Sequence, residues 1–180
     1  MDIPLLAEQA LNGMQLGILL FLLAAGLTLV FGIMDFVNLA HGSFYMLGAF
    51  FFATFFNLTG SFVLGIFFGL TATLIIGFLT DVLGLRTLYS RNHLDQVLAT
   101  FGLILFFNQL VQIIWPLDGI AVAMPPYLDG ALDIGFGIEY PIYRILIIVC
   151  GLLVALALYT LVVHTRLGML IRAGASNRTM

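Results

Sequence analysis

Long runs without a single charged side chain constrain this sequence more than any other feature. Residues 13–34, 62–80, 97–117 and 145–163 are charge-free and predominantly apolar. An α-helix rises 1.5 Å per residue, so about 20 apolar residues cross the hydrocarbon core of a bilayer. Each of these runs is long enough. A fifth, 43–56, has only 14 residues. It covers about 21 Å of a core about 30 Å thick, and spans only by borrowing residues from the polar stretch before it. The expected fold is all-α: a polytopic transmembrane helical bundle of about five helices with one broken helix, and a small extramembrane loop between the last two spans.

Composition closes off the soluble alternative. Charged residues make up 8% of the chain and hydrophobic ones 62%, with a mean hydropathy of +1.17. An average soluble domain is roughly 25% charged, and no soluble surface can be built from so few charges. All six cations are arginine and no lysine occurs. That removes the lysine of a phosphate-cradling Walker loop, so the chain is not itself a P-loop ATPase. The single Cys150 can form neither an intrachain disulfide nor a cysteine metal cluster. It reads as a small packing residue. Asp2 and Glu8 open the chain with no arginine before Arg86, which is unlike the basic flank of a secretory signal; the first run is expected to stay as an anchor.

The charges outside the runs are asymmetric. Arg86 and Arg91 lie in the segment 81–96, and three arginines follow Val163, whereas 118–139 carries four acids and no cation. Positive charge near helix ends favours the cytoplasmic side. This places the Arg86/Arg91 loop and the C-terminal tail inside and the 118–139 loop outside. Prolines and glycines in that outer loop, at Pro116, Pro125, Pro126 and Gly130, mark turns, and its aliphatic alternation suits a small hairpin. Trp115, Tyr127, Tyr140 and Tyr143 suit the aromatic interface belt. A tight outer turn is expected over 57–61.

Gly13 and Gly17, and again Gly65 and Gly69, put two small residues on one helical face, a pattern that lets helix backbones approach closely in lipid. Asn108 and Gln112 stand one turn apart in the fourth span beside Gln109, and are expected to hydrogen-bond between helices, with solute binding as the alternative. The most informative stretch is Asp35-Phe-Val-Asn38-Leu-Ala-His41-Gly42. A charged acid at the centre of a membrane helix costs about 2.5–3.5 kcal/mol on insertion scales. Either the stretch is an interfacial loop wetted by headgroups, or it is a break whose backbone and side chains line a protein-buried or aqueous cavity. In the second case Asp35, Asn38, His41 and Gly42 shape a translocation pathway. Neither His-Glu-x-x-His nor Gly-x-Ser-x-Gly occurs, and the three histidines fall in different segments, so no metal or catalytic site is expected.

After the last span, residues 164–180 combine Arg166, Gly168, Arg172 and Arg178 with small residues. A generic basic flank explains the charges, but not the Gly break and short apolar segment, which suit a short helix that docks into a partner's groove.

Together these residues are recognisable. Leu27-Thr-Leu-Val-Phe-Gly-Ile-Met-Asp-Phe-Val-Asn-Leu-Ala-His-Gly42, Tyr45-Met-Leu-Gly48, Leu94-Asp-Gln-Val-Leu-Ala-Thr-Phe-Gly102 and Thr165-Arg-Leu-Gly-Met-Leu-Ile-Arg-Ala173 resemble a branched-chain amino acid ABC transporter permease. The resemblance runs from about Asn12 to Met180. It implies a bacterial inner-membrane importer for leucine, isoleucine or valine, with no bond chemistry of its own. Implied partners are a periplasmic substrate-binding protein, a second permease subunit and separate ATPase subunits, which would hold ATP and Mg. Lipid surrounds the spans, no cofactor is expected on this chain, and no nucleic acid. The similar tail motif is the segment that sits against the ATPase, so Arg166, Gly168, Arg172, Ala173 and Asn177 are expected in coupling, with 164–180 a coupling segment of one permease domain. Family members run on with further spans, so the chain is expected to be the N-terminal part. A related importer of urea or short amides would share the motifs, and an ion-coupled carrier or channel could use Asp35 and His41 as a proton relay.

Overall fold

The computed structural model describes residues 3–34, 36–116, 119–133, 135 and 139–176. In chain order these form α1 (Ile3–Met34), α2 (His41–Thr59), α3 (Phe62–Leu83), a 3₁₀ turn (Leu85–Leu88), α4 (His93–Ile114), strands β1 (Ala131–Asp133) and β2 (Glu139–Pro141), α5 (Ile142–His164) and α6 (Arg166–Ser176). Segments of α1 to α5 are each long and apolar enough to cross a membrane. Leu74, Leu83 and Ile113 are 72%, 78% and 73% exposed, a surface that water does not tolerate in contiguous patches and that lipid does. The chain divides into two compact units, Met34–Ala123 and Met1–Ile33 with Met124–Met180.

In the first unit the short run 43–56 becomes a 19-residue helix, α2, by taking in His41 and Gly42 at one end and Asn57 to Thr59 at the other. Nineteen residues rise about 28 Å, enough to span. Gly60 then ends the helix in the left-handed region (φ 67°), its N–H donating to Phe56 O at 2.8 Å, and α3 starts at Phe62. The outer turn is thus narrower than 57–61, and only glycine adopts that φ without strain.

Close packing of α2 on α3 follows from Gly65 and Gly69. A Cβ on Gly69 would stand 3.0 Å from the Phe52 backbone, and one on Gly65 3.0 Å from the Phe56 Cβ. Phe52, Phe56 and Phe62 fill the space beside them with ring centroids 5.4–6.4 Å apart. On the other side of α2, Leu47 meets Phe107 and Val111 of α4. Trp115, at the end of α4, packs on Phe50 and Phe51 and donates Nε1–H to Thr54 Oγ at 2.8 Å. Its indole therefore serves the α2–α4 contact, with its polar atom satisfied by protein.

In the second unit the expected hairpin forms, with Leu132 paired to Tyr140 in an antiparallel ladder. Tyr140 is fully buried and donates to Asn12 of α1 at 3.3 Å. Arg144, in the first turn of α5, donates to the same Asn12 carbonyl and, at 3.0 Å, to the Tyr143 hydroxyl. These contacts extend α1 and α5 beyond their charge-free runs. Gly13 and Gly17, by contrast, are exposed, and among the described residues a Cβ on either would meet nothing within 4 Å. The small residue at the α1–α5 contact is Gly151, where a Cβ would collide with Ile18. Packing is set by the facing side chain, and Ile18 faces the other helix.

Candidate functional site

Two interruptions of the helical chain carry the expected functional residues. The first is the joint 36–40 between α1 and α2. Asp35 lies outside the described residues. Phe36, Asn38 and Ala40 are buried, and His41, half-buried, opens α2. Asn38 turns its carbonyl oxygen back to accept from Ala40 N at 3.1 Å, while its own backbone oxygen accepts from His41 N at 3.3 Å. Its side chain thus fixes the turn from which α2 starts.

The rest of the joint is held from α4 by two residues to which sequence reasoning gave no role. Gln96, 3% exposed, accepts from Val37 N at 3.3 Å and donates to Leu88 O at 3.3 Å and Arg91 O at 3.2 Å. One amide therefore links the joint to the segment leading into α4. Thr100, fully buried, donates to Val37 O at 3.4 Å and to Gln96 O at 2.8 Å. Phe36 stands edge-on to Tyr89 at 5.1 Å between centroids, and the Tyr89 hydroxyl donates to Asp81 of α3. Burial, then the hydrogen bond and charge of Asp81, push the Tyr89 phenol up to about 12. Irregular backbone away from water must have its polar groups paired, and here side chains of another helix pair them. In the sequence the two stand four apart, on one helical face, within the stretch Leu94 to Gly102 that carries part of the family resemblance.

Above the joint, Leu39, Gly42, Ser43, Met46, Ile104 and Asn108 line a cleft of about 230 Å³ between α2 and α4. A Cβ on Gly42 would meet nothing within 4 Å. Asn108, Gln109 and Gln112 are exposed, and among the described residues none has the interhelix hydrogen bond expected of it. Of the three, Asn108 borders that cleft.

The second interruption is the junction of α5 and α6. Thr165 alone breaks the helix, in extended conformation (φ −105°, ψ 161°). Its hydroxyl accepts from Gly168 N at 3.1 Å, which caps α6 as serine and threonine do at helix starts. Arg172 donates from Nη1 to Val162 O and, at 3.3 Å, to Val163 O. Those carbonyls belong to the last turn of α5, which has no partners within its own helix. A Cβ on Gly168 would overlap the Val162 and Leu161 carbonyl oxygens, so only glycine admits this bend. Arg166 and Ala173 are exposed along α6, and Leu167 and Leu170, 62% and 69% exposed, lie on a face other than that of Gly168 and Arg172. Asn177 lies outside the described residues.

Residues 9–180 match the family described as "Branched-chain amino acid transport system / permease component". The chain is also 30% identical over 186 residues to the high-affinity branched-chain amino acid transport system permease protein BraD of Pseudomonas aeruginosa. That alignment takes in 96% of this chain and 60% of the relative's length. No solved structure matches. With its apolar helices and a match over almost its full length, the chain belongs to the branched-chain amino acid transport permease family, as a multi-pass membrane protein.

Proposed function

We propose that the chain acts in the permease of an ATP-binding-cassette importer that carries branched-chain amino acids across a bacterial inner membrane. The transported solute passes beside the joint 36–42, and α6 is the coupling segment that receives ATPase subunits on the cytoplasmic side. ATP and Mg are held by those subunits, a second permease subunit completes the path, and a periplasmic binding protein delivers the solute. The relative's printed function supports the solute class. The arginines of the 81–96 segment and the tail support the orientation, by the positive-inside bias.

One observation carries the reading: α6 is fastened at one face and bare at another. Thr165, Gly168 and Arg172 tie it to the end of α5, while Leu167 and Leu170 stand open. A short helix rigidly joined to a span can transmit a push where a loose tail would not. Access then alternates because the two end states bind the ATP-loaded partner differently.

The test is leucine uptake by cells carrying the gene, with Leu170→Glu as the variant. Loss of uptake together with loss of co-purifying ATPase subunit, at normal membrane abundance, is expected. Uptake that persists without ATP and collapses with the proton gradient would overturn the proposal in favour of an ion-coupled carrier.

A further inference from the structure

Of the exposed amides Asn108, Gln109 and Gln112 of α4, only Asn108 borders the cleft between α2 and α4, and the hydroxyl of Ser43 borders it too. Thr28, Thr54, Thr71, Thr73 and Thr80 each donate to the carbonyl four residues back in their own helix, at 2.7–2.8 Å. Those hydroxyls are satisfied and available to lipid-facing positions at little cost. Ser43 and Asn108 have no such bond, and among the described residues neither side chain has a partner. Both border the same cleft, whose other walls are Leu39, Met46 and Ile104. Asn108 is exposed, so its amide meets the cleft openly, whereas Ser43, 6% exposed, reaches only its edge.

Unpaired polar groups within a membrane span face either a polar neighbour or a route for polar solutes. Here they adjoin apolar walls in a space of about 230 Å³, smaller than the pockets of roughly 300–1,000 Å³ that hold drug-sized ligands. Such a cleft suits a small molecule with one hydrogen-bonding end and one aliphatic end. Gly42 opens it further, since a Cβ there would meet nothing within 4 Å and only the missing side chain keeps that wall back.

We propose that this cleft is a binding station for an amino acid with an aliphatic side chain, in which Asn108 and Ser43 take the polar end and Leu39, Met46 and Ile104 the hydrocarbon. The proposal rests on the transport reading above and adds the residues that select the solute. Gly42 sets the room for the side chain, and Asn108 sets affinity.

Chromosomal substitutions in the native host, measured against a strain lacking the gene, test it with radiolabelled leucine and alanine. Gly42→Ala adds a methyl group to open space, and the leucine-to-alanine uptake ratio is expected to fall about threefold or more, since one methylene in an apolar pocket carries discrimination of that order or larger. Asn108→Leu is expected to raise the KM for leucine about fivefold with little change in maximal rate, as loss of one neutral hydrogen bond does. Asn108→Gln, which keeps an amide, restores the KM to within about twofold. Neither a ratio nor a KM depends on how much protein reaches the membrane. An unchanged ratio in Gly42→Ala overturns the apolar half of the site and an unchanged KM in Asn108→Leu the polar half. Wild-type cells that take up no more leucine than the deletion strain overturn the transport reading and this site with it.

Discussion

The two breaks in the helical chain solve one problem by opposite means. At 36–40 the freed backbone groups are paired by Gln96 and Thr100, with Val37 and Gln96 59 positions apart. At Thr165 they are paired from within ten residues, the Gly168 N–H by the Thr165 hydroxyl and the Val162 carbonyl by Arg172. Asn38 shapes the first break locally, but the polar groups of Val37 find their partners only on α4. The second is written locally, as an i, i+3 cap and a basic side chain folding back on the preceding helix end. A break held by distant residues reports on tertiary structure, and one held by neighbours can move as a unit.

The largest effect expected from this contrast comes from Gln96. Gln96→Leu leaves Val37 N and the Leu88 and Arg91 carbonyls without their partner. A fully buried orphaned group costs about 1–3 kcal/mol, and as these three are only part-buried a combined loss of about 3 kcal/mol is expected. Thermal unfolding in detergent checks it. Gln96→Glu sharpens the result, because a carboxylate can still accept from Val37 but places negative charge against two carbonyl oxygens. It is expected to be no more stable than the leucine variant, and recovery to wild-type stability would show that the Val37 bond alone matters.

Gly168→Ala tests the local break. Helix propensity favours alanine over glycine by about 1 kcal/mol, so an ordinary helical position would gain stability. Here the added Cβ overlaps the Val162 and Leu161 carbonyl oxygens, and crowding of this kind costs about 2 kcal/mol. Crowding therefore wins, and α6 is expected to swing free of α5 while the spans stay folded. Faster trypsin cleavage after Arg166 and Arg172 with an unchanged melting temperature would register it, and unchanged cleavage would show that the bend has another support.

How far the sequence discloses these features depends on how far their causes lie along the chain. Five spans are legible because an apolar run is local, and α6 is legible because a Gly break and a basic turn adjoin it. Boundaries are less so: α1 begins at Ile3, ten residues before its charge-free run, and so takes in Asn12, which Arg144 and Tyr140 engage from much later in the chain. The two glycine pairs make the point sharply. Gly65 and Gly69 meet Phe56 and Phe52, whereas Gly13 and Gly17 meet nothing; identical spacing names a smooth face without naming its neighbour. Gln96 passes for an ordinary polar residue near a helix start until the joint is seen against it. The amides of α4 suggest hydrogen bonds between helices, and only the fold shows Asn108 turned toward a cleft.

Thr100→Val ranks below Gln96 because the swap keeps shape and removes one hydroxyl. Thr100 Oγ lies 3.4 Å from Val37 O, a long bond, and 2.8 Å from the Gln96 carbonyl, which retains its place in the helix. A loss of about 1 kcal/mol is expected, with Thr100→Ser recovering part of it. A loss as large as that of Gln96→Leu would mean that Thr100, and not Gln96, holds the joint.

The smallest effect concerns Tyr89, which ties the joint to α3 through Phe36 on one side and Asp81 on the other. Its phenol is raised from the usual 10 to about 12, chiefly by burial and then by the bond to Asp81. The folded chain therefore favours the neutral phenol, which donates to the carboxylate. That contribution is complete below pH 10, declines between pH 10 and about 12, and vanishes once the folded form ionises too. Tyr89→Phe keeps the ring against Phe36 and deletes the donor, so a loss below about 1 kcal/mol is expected at neutral pH. The gap between wild type and variant should close as pH rises through that window, when phenolate and Asp81 repel. A gap that is constant to pH 12 would assign the stabilisation to ring packing alone and leave the joint fastened to α3 without any help from Asp81.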